Sequence, residues 1–204
     1  MQTFHGVWPQ WGDIEIAGLG DGGALVCDNV LGHATARRVY NRILELAREG
    51  ELRRAGIGRM GGHRLDESIR QDLIAWLTPD LADSFIEVRT LFEQVLEFAN
   101  TQCWLGLKRF DTQLALYPGD GAQYDRHRDA FAGQNNRRLT SIYYPNVDWE
   151  PAHGGQLRLF YEDREEEVEP RGDRMVIFLS EALDHQVLPV FHPRAAVTAW
   201  YYGT

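Results

Sequence analysis

From residue 110 onward the chain is cut into short runs of a kind that sheets use. "TQLALYP", "LTSIYYP", "GQLRLFY", "RMVIFLS", "HQVLPV" and "AVTAWYY" are rich in β-branched and aromatic residues and are separated by clusters of Gly, Pro, Asn and Asp. Six to eight such strands at this spacing predict an antiparallel sandwich or barrel of the jelly-roll kind. The first half reads differently. Val39, Ile43, Leu44 and Ala47 have helical spacing across residues 33–49, and Gly50 stands where a glycine ends a helix. Thr78 and Pro79 are suited to the N-cap and first position of a second helix, whose apolar stripe runs through Leu81, Phe85, Val88, Phe92, Val95 and Leu96 to about residue 99. "GALVCDNVL" before the first helix reads as a short strand. The prediction is one domain over 1–204, mainly β with helical support: helices and a loop in 1–109, a β core in 110–204.

Composition narrows the function. The formal net charge of -9 disfavours a large nucleic-acid footprint, because phosphate binding needs a basic patch. Cys27 and Cys103 lie far apart without a CxxC partner and read as reduced thiols of a cytoplasmic protein. The N-terminus lacks the basic and apolar regions of a secretory signal, and no uncharged apolar run reaches a bilayer-spanning length. The acidic run at 162–173, "EDREEEVEPRGD", reads as a solvated hairpin or loop.

The stretch "YPGDGAQYDRHRDAF" carries the chemistry. His127 and Asp129 are two positions apart in strand-like sequence, which places their side chains on one face. His185, in "EALDHQVLPV", supplies a third ligand type. Two histidines and one carboxylate can occupy one face of an octahedral ion and leave the other face open, an arrangement suited to non-haem Fe(II). Plainer readings exist: His127, amid Asp125, Arg126 and Arg128, as a surface histidine, and His185 as a turn cap beside Asp184. Arg194 favours the metal, because an arginine deep in a barrel needs an anion, and its fork matches a carboxylate. A dicarboxylic keto acid meets both demands, one end on the metal and the other on Arg194. His153, before a Gly-Gly turn, and His192, before Pro193, are not counted as ligands.

These residues, with "YPGDGAQYDRHRD", "LTSIYYPNVDW", "GGQLRLF", "DRMVIFLS", "DHQVLP" and "RAAVTAWYY", resemble the prolyl 4-hydroxylases of the Fe(II)/2-oxoglutarate oxygenase superfamily, in particular the HIF prolyl hydroxylase (EGLN) type and its bacterial relatives. "IRQDLIAWL" at 69–77 is similar to the R-x-D-x-I-x-W element of that subgroup. The resemblance covers about residues 24–204. It implies a double-stranded β-helix, a cupin-like jelly roll with helices packed on its major sheet. It implies His127, Asp129 and His185 as iron ligands and Arg194 with Tyr144 as holders of the distal 2-oxoglutarate carboxylate. It implies Tyr117 near the co-substrate's chelating end and Thr198 near the open metal position. Tyr124, Arg137 and Trp200 match peptide contacts, as do Arg70 and Asp72 of the upstream element. The segment from Asp129 to Tyr144 is one residue longer than in the animal enzymes, so Arg138 competes with Arg137 for that role.

The implied activity is 4-hydroxylation of a prolyl residue in a protein, with Fe(II), 2-oxoglutarate and dioxygen, and with ascorbate as an accessory. A Tu-type elongation factor is the partner suggested by bacterial relatives, and the chain is expected to act as a monomer. Residues 48–72 hold Arg53, Arg54, Arg59 and Arg64 among glycines and read as a lid over the substrate. The competing functions are an oxygenase of a free amino acid or other small molecule, and a non-catalytic 2-oxoglutarate-binding sensor.

Overall fold

The computed structural model describes residues 1–54, 71–131 and 136–203. Two sheets face each other. The larger has the order β1 (Thr3–Gly6), β2 (Ala24–Asp28), β10 (Arg174–Leu179), β7 (Arg137–Tyr144), β12 (Arg194–Tyr202), β5 (Arg109–Tyr117), β4 (Leu73–Trp76), β3 (Arg53–Arg54). The smaller has the order β6 (Tyr124–His127), β11 (Asp184–Val187), β8 (Leu157–Phe160), β9 (Glu165–Val168). Only β1 and β2 pair in parallel among these ladders. The helices are α1 (Asp13–Gly20), α2 (His33–Arg48), α3 (Pro79–Ala82) and α4 (Ile86–Gln102).

Strand alternation divides the interior into two compartments. On β12, Ala195, Val197, Ala199 and Tyr201 enter a core shared with Val39, Ile43 and Leu46 of α2 and Val88, Phe92 and Val95 of α4. The intervening Arg194, Ala196, Thr198 and Trp200 face the gap between the sheets. β7 repeats the pattern, with Leu139 and Tyr143 toward the helices and Thr140, Ile142 and Tyr144 toward the gap. Each large apolar side chain buried in these layers contributes about 1.5–3 kcal/mol. The helix layer thus braces the larger sheet from outside and leaves its inner face for chemistry.

The first helix follows its expected span, although its buried stripe is Ala36, Val39, Ile43 and Leu46, while Leu44 and Ala47 are only partly covered. Gly50, at φ 78°, closes it: its N–H donates to the Ala47 carbonyl at 3.2 Å, and the Glu51 N–H donates to Leu46 at 2.9 Å. The second helix is not continuous. α3 passes through a short 3-10 turn at Asp83–Phe85, and the fully buried Phe85 leaves helical geometry at φ -127° before α4 begins. Pro79 takes the first helical position, but Thr78 makes no side-chain cap. Within the acidic run, Glu165–Val168 forms the edge strand β9 of a hairpin with β8. Val168 is buried there, and Arg158 on β8 bonds Glu167 at 2.6 Å. A charged edge of this kind resists pairing with other chains. β1 and α1 occupy the first twenty residues, to which the sequence reading assigned no element. Most of the expected lid, including Arg59, Arg64 and Arg70, lies outside the described residues. No described helix is long and apolar enough to cross a membrane.

Candidate metal centre and co-substrate pocket

His127 and His185 are brought together by direct pairing of β6 with β11. The pairing contains a bulge: His185 to Val187 spans two steps, while their partners His127 to Tyr124 span three. The extra residue puts Tyr124 and His127 on one face, where their rings stack at 3.7 Å. β6 ends at His127, so Asp129 is not presented by a strand as its spacing predicted. It lies in a bend, and Thr140 of the opposite sheet holds it by a hydroxyl donated to Oδ2 at 2.7 Å. The ligand atoms of His127, Asp129 and His185 all lie within 4.8 Å of one another.

The protonation pattern suits a cation. Nδ1 of His127 faces the Asp125 carbonyl at 2.8 Å, and Nδ1 of His185 faces the Leu183 carbonyl at 3.2 Å. A carbonyl can only accept, so both Nδ1 atoms carry a proton, and Nε2 is the ring atom left to face a metal. Burial pushes the Asp129 carboxyl up. The His185 and His127 imidazoles, the Thr140 hydroxyl and the Trp200 indole outweigh it and hold the group below the usual carboxylate range. Two imidazoles and one carboxylate on one side of an ion fit Fe(II) with open positions.

Along the same compartment lies Arg194, 3% exposed. Its Nε donates to the Gly155 carbonyl at 2.9 Å, and its guanidinium sits 5.0 Å from the ring centres of both Tyr117 and Tyr144. No carboxylate among the described residues pairs with it. The Tyr144 hydroxyl is buried and also lacks a hydrogen-bond partner among the described residues. Burial raises its pKa against the opposing effect of Arg194, so it stays a donor. A buried cation and an orphaned donor side by side are costly unless an anion joins them. Gly155 is required here: at φ 74°, an added Cβ would lie 2.9 Å from Arg194 Cδ.

The remaining predicted residues lie on β12, at the start of β7 and just before β4. Thr198 is half-buried on the inner face of β12, opposite Ile142 and Gln113. Trp200 is buried and meets the half-exposed Trp76 at 5.7 Å between ring centres. A register shift in the β7–β12 ladder pairs Arg137, not Arg138, with Tyr202. Arg137 therefore lies over Trp200 at 4.5 Å and donates to the Tyr202 hydroxyl at 3.2 Å, while Arg138 is exposed. Asp72 is fully buried just before β4, a placement for internal bonding rather than for an open peptide face.

Known proteins resemble this chain in sequence and in fold. The family model "2OG-Fe(II) oxygenase superfamily" matches residues 112–202. Prolyl hydroxylase EGLN3 of Mus musculus is 32% identical over 186 residues, 86% of this chain and 76% of that protein. The chain belongs to this family. A crystal structure of a Pseudomonas putida prolyl-4-hydroxylase superposes with a TM-score of 0.82 at 32% identity, over 93% of this chain and 97% of that one. A Trichoplax adhaerens prolyl hydroxylase, solved with a hypoxia inducible factor oxygen degradation domain peptide, gives a TM-score of 0.81 at 26% identity, over 92% and 86% of the two chains. The two-sheet fold is the double-stranded β-helix of these 2-oxoglutarate oxygenases, as the sequence predicted.

Several residues that shape the oxygenase site were not anticipated. Thr140 both orients Asp129 and hydrogen-bonds Ser180 at 2.9 Å. Asn146 pins the start of β12 by accepting from the Ala195 N–H at 2.7 Å and donating to its carbonyl at 3.0 Å, next to Arg194. Trp76 belongs to the quoted upstream element but was not named as a site residue. A threonine or asparagine inside or beside a strand carries no local mark of such a role, because its partners come from distant segments.

Proposed function

We propose that this 2-oxoglutarate oxygenase 4-hydroxylates a prolyl residue of a protein substrate. The observation that carries the reading is the pairing, in one compartment, of a three-residue candidate metal centre with a buried guanidinium that has no carboxylate partner among the described residues. When bound, Fe(II) with 2-oxoglutarate and dioxygen supplies the oxidation that converts a proline C–H to C–OH, as 2-oxoglutarate becomes succinate and carbon dioxide. His127, Asp129 and His185 would hold the ion and leave positions open for the co-substrates. Arg194 and Tyr144 bind the distal carboxylate and so fix the length of acid that fits. Tyr117 would lie near the chelating end of 2-oxoglutarate, and Thr198 near the open position of the metal. Tyr124, Arg137 and Trp200 form the face that receives the peptide, where an aromatic ring against a guanidinium offers a flat surface to a proline ring.

The substrate assignment draws on the EGLN3 and Pseudomonas putida relatives and on the peptide carried by the Trichoplax adhaerens enzyme. A Tu-type elongation factor as partner, a monomeric cytoplasmic enzyme, and ascorbate as the reductant that keeps the iron ferrous complete the proposal. The test is turnover with purified enzyme. Iron-dependent succinate release from 2-oxoglutarate should rise when a proline-containing protein is added. Stimulation by free amino acids alone would favour the small-molecule alternative, and no succinate at all would favour a binding module.

A further inference from the structure

The charged residues around His127 form a single assembly on the outer face of the smaller sheet. Alternation turns His127 and His185 inward and their neighbours Arg126 and Asp184 outward. Asp184 accepts from Arg126 through both Nε and Nη2 on Oδ2, at 3.0 and 2.8 Å. Its other oxygen, Oδ1, accepts from Arg128 Nε at 2.6 Å. The Arg126 guanidinium also lies 4.1 Å from the ring centre of Phe160, the β8 residue opposite Asp184. One carboxylate therefore joins the residue before His185 to the residues on both sides of His127.

This is where the ladder is weakest. The bulge interrupts β6–β11 pairing between His185 and Val187, and β6 stops at His127. Beyond that point, Arg128 is the only link in the chain between the two ligands His127 and Asp129. We infer that Asp184 is a positioning residue: with Arg126 and Arg128 it staples the two ligand-bearing strands back to back with the metal centre, and so sets how long the metal stays bound. The inference rests on the metal-centre reading above. Asp184 is 22% exposed on its side chain and Arg128 36%, so the staple is partly shielded from solvent and more effective than a fully exposed ion pair.

The test uses the enzyme loaded with Mn(II), a redox-stable probe of the same site, and follows metal release after a chelator is added. Outer partners of metal ligands typically change affinity by about 10–100-fold. Asp184 acts one step further out, so Asp184→Asn should speed release about tenfold. Arg128→Met should do the same from the other side, and the double variant should release no faster than either single one. Arg158→Met, which removes the comparable β8–β9 pair, is the control and should leave release unchanged. The apo melting temperature separates positioning from general stability, since release should rise without a matching fall in melting relative to the control. Release at the wild-type rate in both Asp184→Asn and Arg128→Met, or acceleration equalled by Arg158→Met, overturns the inference. A wild type that retains no Mn(II) instead overturns the metal centre, and the staple with it.

Discussion

Arg194 shows how much one residue can say when its surroundings are known. It is buried, its Nε donates to a backbone carbonyl, and its neighbour Tyr144 has a hydroxyl without a partner among the described residues. Removing one partner of a buried charge pair costs about 3–5 kcal/mol, which is two to three orders of magnitude in affinity at about 1.4 kcal/mol per tenfold. Arg194→Ala should therefore raise the apparent KM for 2-oxoglutarate far more than Tyr144→Phe, for which a loss of about 1.5–3 kcal/mol is expected. Pyruvate lacks the distal carboxylate, so its decarboxylation should be poor and little affected by Arg194→Ala. Equal losses with both acids would make Arg194 a structural residue. Thr140→Val should act elsewhere. It frees Asp129 Oδ2 and should weaken metal binding by about 10–100-fold, while the KM for 2-oxoglutarate at saturating iron stays near wild type. The candidate ligands and Arg194 could be singled out in the sequence because their residue types are costly to bury without a purpose. Thr140, Asn146 and Gly155 were not, since each is an ordinary strand or turn residue until its partner from a distant segment is known.

At the scale of elements, local pattern served well where burial is one-sided and poorly where a strand is charged or irregular. β5, β7, β8, β10, β11 and β12 all lie within or around the apolar runs that named them. β9 escaped because three of its four residues are glutamates, and a solvated edge gives no apolar alternation to read. The break before α4 escaped because helical spacing continues across it through Phe85 and Val88. Bulges are invisible to periodicity, yet one aligns Tyr124 with His127, and a register shift pairs Arg137, not Arg138, with Tyr202. Between elements, Arg174 of β10 grips Asp28 of β2 by two bonds, at 2.6 and 2.9 Å. The Asp28 carboxyl is lowered, first by the Arg174 hydrogen bond. A lowered carboxyl stabilises the fold above its unfolded pKa, and the effect is lost as pH falls through the folded value. Asp28 is half exposed, so Asp28→Asn should cost about 1 kcal/mol or less at neutral pH. The gap in melting temperature between variant and wild type should close as pH drops below about 4. A gap independent of pH would mean that packing, not charge, links these strands.

For the whole molecule, the division of labour is between a helix-braced outer layer and an inner compartment that holds every described ligand of the proposed reaction. The sequence led to that architecture because strand and helix periods change sharply near residue 110, and to the family because its motifs lie in the strands lining the compartment. The partner was not legible: the pattern of residues 48–72 carries charge and glycine but no address. The measurement that tests the central claim most directly is mass spectrometry of a host proteome incubated with Fe(II), 2-oxoglutarate and either the wild-type enzyme or Asp129→Ala. The account predicts that a defined prolyl residue gains one oxygen atom with the wild type and stays unmodified with Asp129→Ala. Iron-dependent succinate release by the wild type without any modified protein proline would contradict it.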